Sequence, residues 1–273
     1  SFIKKLFVKL CRIIGFEIID QSNLSLPVSN RSANDNLSDL GKNIISLPMG
    51  ETKISRPIKS LDIIIKTCTS VNLVTQNKKR IFEKEKSEYT FRSIKSLYRS
   101  AKELKKRYKD IKIRFTIIDV NSSKNDLDKI KSLNKDKEFE DNLISIDILE
   151  AKKISTTLNK NNKEIENNMA TTMYSIRKSF NFAKECEDLI YFVEDDYIHK
   201  FESLSEMVLT YEKFSSSLKK EIFLLSTDYP YLYKKLDNSN ILIGNEYHWR
   251  TVKESLLTFM TSKKMIEKHY DKL

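Results

Sequence analysis

Three consecutive carboxylates, Glu194-Asp195-Asp196, follow directly on the apolar run Leu189-Ile190-Tyr191-Phe192-Val193. Like charges this close repel, and ionised acids so placed need a counter-charge. A divalent cation supplies one. A small number of hard oxygen donors suits Mg²⁺ or Mn²⁺, which keep several waters and take further ligands from substrate phosphates. The plainer alternative is a solvated loop whose acids cap the next helix. An apolar run ending in three acids is unusual for such a loop, so the reading favours a cation on this acidic run. Histidine is scarce (His199, His248, His269), and no HExxH spacing exists, which argues against a zinc hydrolase. His248 stands in Tyr247-His248-Trp249-Arg250, which holds the chain's one Trp. Such a cluster can stack on and hydrogen-bond a sugar or base, or it can be a hydrophobic anchor; both readings stand. Cys68 has no nearby His in sequence to activate it as a nucleophile.

The elements that must position these residues alternate between strand and helix. Leu61–Thr67, Ile111–Val120, Leu143–Ile148, Leu189–Val193, Ile222–Ser226 and Asn240–Ile243 are short β-branched or apolar runs, and Ser255–Met260 is a further apolar run. Helical spacing is expected over 89–109, 167–186 and 203–214, with residues 122–141 helical or loop-like. Alternation of this kind predicts an α/β fold with a largely parallel sheet and right-handed crossovers. Binding crevices in such sheets lie at the carboxyl ends of the strands. The residues expected there are Thr67, Cys68 and Thr69 after the first strand and Asp119, Asn121 and Ser122 at the second. Glu194 to Asp196 follow the LIYFV strand, and Thr227 and Asp228 follow Ile222–Ser226.

Composition narrows the classes. The chain has 273 residues and a net charge of +11, with 40% hydrophobic and 10% aromatic residues, enough for a substantial core. Only 4 glycines are present, with no GxGxxG or Walker A motif, so a classical dinucleotide enzyme or P-loop nucleotidase is excluded. Three widely spaced cysteines exclude a disulfide framework, and a reducing cytoplasm is the expected location. No apolar run reaches the ~18 residues of a membrane span.

Residues 1–19 are expected to form a basic amphipathic helix, with Ile3, Leu6, Phe7, Leu10, Ile13 and Ile14 on one side and Lys4, Lys5, Lys9 and Arg12 on the other. It is either a peripheral attachment to an anionic membrane, at its inner face, or a helix docked on protein. Residues 20–58, with Pro27, Pro48 and Pro57, are expected to be a linker or surface-wrapping segment, and 59–273 the globular domain.

The order of these segments resembles the nucleotide-sugar glycosyltransferases of the GT-A fold, of the family 2-like kind. The resemblance rests on LDIIIKTCTS, RFTIIDVNSS, the stretch ending LIYFVEDDY, and downstream FLLSTDYPYLY and HWRTVKESLLTFM. It covers about residues 60–262, with the acidic run in the position of an Asp-X-Asp motif. Glu194 replaces the motif's first Asp. The resemblance implies a three-layer α/β/α sandwich and an enzyme that moves a sugar from a nucleotide-diphosphate sugar to a glycan or lipid-linked acceptor, with Mn²⁺ or Mg²⁺. It implies that Thr67 and Thr69 flank the base, and that Asp119 meets the base or ribose. Glu194 and Asp195 would lie along the donor, with Asp196 on the metal and His248 as a late metal or phosphate contact.

Chemistry independent of the family adds roles. A leaving diphosphate gains from Arg177 or Arg250. An inverting transfer needs a base on the acceptor hydroxyl, for which Asp228 is the first choice and Glu254 the second. Trp249 belongs with the sugar- or base-stacking cluster. Two other classes compete. One is a basic nucleic-acid-binding protein, suggested by Lys78-Lys79-Arg80 and Lys105-Lys106-Arg107. The other is a non-catalytic relative that keeps the sheet. Nucleic acid is not the expected partner, because the basic residues are scattered among glutamates.

Overall fold

A computed structural model describes residues 2–16, 52–70, 84–134, 138–154, 167–229, 232–233, 239–254 and 256–272. Most of the expected linker, the lysine run 78–80 and Pro230-Tyr231 lie outside the described residues. The protein is α/β, with a central five-stranded sheet that is mostly parallel. Strands β1 (Ser60–Thr67), β2 (Lys112–Val120), β3 (Glu140–Ile146) and β4 (Leu189–Glu194) run parallel, and β7 (Phe259–Ser262) closes one edge antiparallel to β4. The spatial order is β3-β2-β1-β4-β7. A separate hairpin pairs β5 (Ile241–Ile243) with β6 (His248–Arg250).

The central strands read as nearly continuous apolar runs because both of their faces are covered. Ile63, Ile65, Phe115, Ile117, Tyr191 and Val193 join one core cluster with helices α2 (Lys86–Arg107) and α6 (Ser203–Leu218). The alternate residues Ile64, Ile118, Ile190 and Phe192 join a second cluster with α5 (Asn167–Ala183) and Ile266 of α7 (Lys263–His269). Helices on both faces are compatible with a three-layer sandwich. The remaining helices are α1 (Phe2–Ile13), α3 (Lys124–Ser132) and α4 (Ile148–Ile154).

Three expected elements differ. The third strand begins at Glu140, before the apolar run, because β3 is an edge strand and tolerates the charged Glu140 and Asp141. The strand expected over 222–226 is reduced to one antiparallel bridge, Leu224 to Met260. The last apolar run starts its strand only at Phe259. The tie-down of the domain also reaches slightly before residue 59. The N–H groups of Ser55 and Arg56 each donate to Ser216 Oγ at 3.0 Å, and that of Ile58 donates to Glu212 Oε1 at 2.7 Å.

Candidate functional site

Strand register assembles the site. Thr67, Asp119 and Ser145 are lateral neighbours at the carboxyl ends of β1, β2 and β3, and Lys66 is the neighbour of Glu194 across β1 and β4. Lateral neighbours point to the same face of a sheet. Asp119 is fully buried, and its carboxylate accepts from Thr67 Oγ1 (2.8 Å), Ser122 Oγ (2.5 Å), Ser122 N–H (3.2 Å) and Ser145 Oγ (3.0 Å). Burial pushes its carboxyl upward against the pull of these donors. Asp119 is thus a tie among three strand ends, and a ligand would have to displace one of those donors to reach it. Thr69 donates through its N–H to Ser122 Oγ at 2.9 Å and through Oγ1 to Asp126 Oδ2 at 2.7 Å. Both threonines therefore join the first crossover loop to the second. Burial raises the Cys68 thiol, which suits a bystander better than a nucleophile.

The three acids after β4 have three different surroundings. Glu194 faces Lys66, Nζ to Oε1 at 3.5 Å, and burial lowers the Lys66 amine against that attraction. Asp195 is buried and accepts from Lys86 Nζ at 2.7 Å, Thr90 Oγ1 at 2.7 Å and the Cys68 N–H at 3.4 Å. Asp196 reaches solvent, and among the described residues no side chain hydrogen-bonds to it or forms a close ion pair with it, although Lys86 and Lys66 attract it from farther off. Surrounding protein still raises its carboxyl, by partial loss of water first and then by repulsion from Asp195. A carboxylate with no direct partner beside two that have one suits a hard cation. It is a sparse donor set, however. Among the described residues no group of three or more His, Cys, Asp or Glu side chains converges. A cation here would take most of its ligands from water and a bound diphosphate.

A cavity of 1220 Å³ opens at Tyr197, the residue after Asp196, between α6, residues 220–229 and the β5–β6 hairpin. The bridge at Leu224 explains why Asp228 lines it. Residues 222–226 run antiparallel to β7 and hence parallel to β4, with Leu224 and Tyr191 both level with Met260. The chain therefore delivers Asp228 to the edge that holds Asp196, as the sequence suggested, without a regular strand. Asp228 accepts from Arg250 Nη2 at 2.6 Å and Nε at 3.2 Å, and from Tyr233 Oη. Partial burial works upward on the Asp228 carboxyl, but those donors outweigh it and hold it below the usual range. The Arg250 guanidinium lies 4.4 Å from the centre of the Tyr233 ring.

His248 and Glu254 line the same cavity, both exposed, while Arg177 is on the exposed side of α5. Trp249 lines the cavity and is also anchored to the fold. Its Nε1 donates to Glu206 Oε1 at 2.8 Å, and it packs against the larger core cluster. Buried Glu206 also accepts from the N–H groups of Asn245, Glu246 and Tyr247, at 3.2, 2.7 and 3.3 Å. One carboxylate from α6 thus fixes the turn that carries His248 and Arg250.

Sequence reasoning missed Lys66, Lys86, Thr90, Glu206 and His199. A lysine inside the otherwise apolar β1 run was a usable signal for Lys66. Lys86 fell outside because the helix was expected to start at residue 89. His199 accepts or donates at Nε2 with Tyr191 Oη (2.8 Å), whose oxygen also meets Ser226 Oγ at 3.0 Å. Burial pushes His199 down to about 4, so its ring is neutral at neutral pH. Compared with known proteins, the chain matches no family model and no curated sequence.

Proposed function

We propose that the chain is a metal-dependent glycosyltransferase with a GT-A-like three-layer domain, moving a sugar from a nucleotide-diphosphate sugar to a glycan or lipid-linked acceptor. The observation that carries this reading is the Asp196 carboxylate, which no side chain of the described residues pairs directly, next to Lys66-paired Glu194 and Lys86-paired Asp195 and one residue before Tyr197, which lines the 1220 Å³ cavity. Asp196 would hold Mn²⁺ or Mg²⁺, and the ion would supply the positive charge that a leaving diphosphate needs. Thr67, Thr69 and Asp119 shape the floor beside the nucleotide. Arg250 adds charge toward the phosphates, oriented by Asp228 and Tyr233. Asp228 is the base toward the acceptor hydroxyl, a role in which it would give up a contact with Arg250 or Tyr233 to accept the proton, and Glu254 stands on the same cavity wall. His248 lines that wall also.

The nucleic-acid reading has less support. In the Lys105-Lys106-Arg107 run, Lys106 and Arg107 pair with Glu103, and Arg107 also pairs with Glu246. Lys105 donates to the Ile111 carbonyl at 2.5 Å. These are the contacts of a solvated helix end rather than of a free basic patch.

The test is incubation of the full chain with a panel of nucleotide-diphosphate sugars and Mn²⁺, with nucleoside diphosphate release and thermal stability as readouts. One donor is expected to raise the melting temperature only when the metal is present, and to be turned over slowly to water or faster to an added glycan. A panel that gives neither stabilisation nor release, beside a salt-steep affinity for DNA, would replace this reading with the nucleic-acid one.

A further inference from the structure

Helix α1 turns its apolar side outward. Leu6, Phe7, Leu10 and Ile13 are 54%, 60%, 55% and 80% exposed, and Ile14 and Phe16 just beyond the helix are 64% and 70% exposed. The helical members recur at the spacing of one face. Val8, on the opposite side by the same spacing, and Cys11, at the stripe's border four residues after Phe7, are less exposed. A helix docked on its own domain through its apolar stripe would show the reverse pattern. The helix ends at Gly15, whose φ of 88° admits the left-handed turn, and the Phe16 N–H closes back on the Cys11 carbonyl at 2.9 Å. Phe16 is thereby held at the end of the helix rather than trailing from it.

Charge selects the occupant. The twelve residues Phe2–Ile13 include Lys4, Lys5, Lys9 and Arg12 and no acid. A second copy packed apolar face to apolar face would leave both basic sets in water and gain nothing from them. A free phosphate or a nucleic acid would use the cations and leave the apolar side in water. An anionic bilayer answers both sides, with acyl chains for the leucines and aromatics and headgroups for the lysines.

We propose that α1 is an interfacial helix that attaches the protein to an anionic lipid surface, with Leu6, Phe7, Leu10 and Ile13 at the headgroup–acyl boundary. This assignment is independent of the transferase reading. The test is co-sedimentation of the full chain with vesicles of phosphatidylcholine alone or mixed with phosphatidylglycerol. Binding is expected only with the mixed vesicles and should weaken as salt is added. Lys9→Gln should weaken it about fivefold, the worth of one basic residue at an anionic surface. Leu10→Asp should abolish it while leaving the melting temperature of the wild type. Equal sedimentation with both vesicle types, or unchanged binding in both variants, would overturn the proposal. So would a Leu10→Asp protein that melts early, since the helix would then be part of the core. A dimer that forms without lipid and is dissolved by Leu10→Asp would assign the face to a second copy instead.

Discussion

Replacing Asp196 by Asn removes a charge that no side chain of the described residues pairs directly. Because lost hydration and Asp195 raise its carboxyl in the folded state, stability from this group is full below its unfolded range and falls as pH rises through the folded value. Asp196→Asn is therefore expected to melt higher than wild type at neutral pH, with the gain vanishing on acidification; thermal melts across pH check it. Asp195→Ala should do the opposite. It strips Lys86 and Thr90 of a buried partner and should cost about 3 kcal/mol by denaturant titration. For Asp228→Asn, turnover is expected to fall by roughly 10²–10⁴-fold with donor affinity nearly unchanged, if it takes the acceptor's proton. A loss of donor affinity would instead assign it to orienting Arg250. The acids themselves were legible in the sequence as a run after an apolar strand. Which of them are neutralised was not, because Lys86 stands 109 residues from Asp195 and meets it only through the helix packing on the sheet.

The β5–β6 hairpin shows the same division at the level of elements. Its strands are three residues each, too short for a reliable period, and β6 carries the mixed set His248, Trp249 and Arg250. What fixes the hairpin is remote: Glu206 of α6, and a close approach at Gly244. A Cβ at Gly244 would lie 2.4 Å from the Trp249 ring and 2.6 Å from Thr210 Oγ1. Gly244→Ala should therefore displace Trp249 or the turn and cost about 1–3 kcal/mol. Tryptophan fluorescence should report the shift, and an unaltered spectrum with an unaltered melt would refute the anchor role. The long, strongly periodic or continuous elements, β1, β2, β4, α2, α5 and α6, were legible to within a few residues. Residues 222–226 misled because an apolar, β-branched run fits a strand and a buried irregular segment equally well. Its one bridge to Met260 depends on where β7 ends up.

At the scale of the whole molecule, the segment entering the sheet is clamped to its base. Arg56 makes a two-pronged contact with Asp188, at 2.9 and 2.5 Å, and a further bond to Glu221 at 2.9 Å. Burial alone would raise the Glu221 carboxyl, but Arg56 and Tyr211 outweigh it and hold it below the usual range. A depressed carboxyl contributes stability above its unfolded range and loses it as pH falls through the folded value. Arg56→Met is expected to cost about 2–3 kcal/mol at neutral pH and to flatten the acid limb of the stability profile below about pH 4. The net charge of +11 is the excess left after all acids are counted, so pairs such as Arg107 with Glu246 and Arg250 with Asp228 do not reduce the general attraction for anions.

The central claim is that Asp196 presents a cation to a bound diphosphate. Calorimetric titration of UDP and GDP into the wild type, Asp196→Ala and the surface variant Lys264→Ala, each with and without Mn²⁺, addresses it most directly. The account predicts metal-dependent binding of one nucleotide to the wild type and to Lys264→Ala, and weak, metal-independent binding to Asp196→Ala with the fold intact. Equal metal-dependent affinity in all three proteins would contradict it.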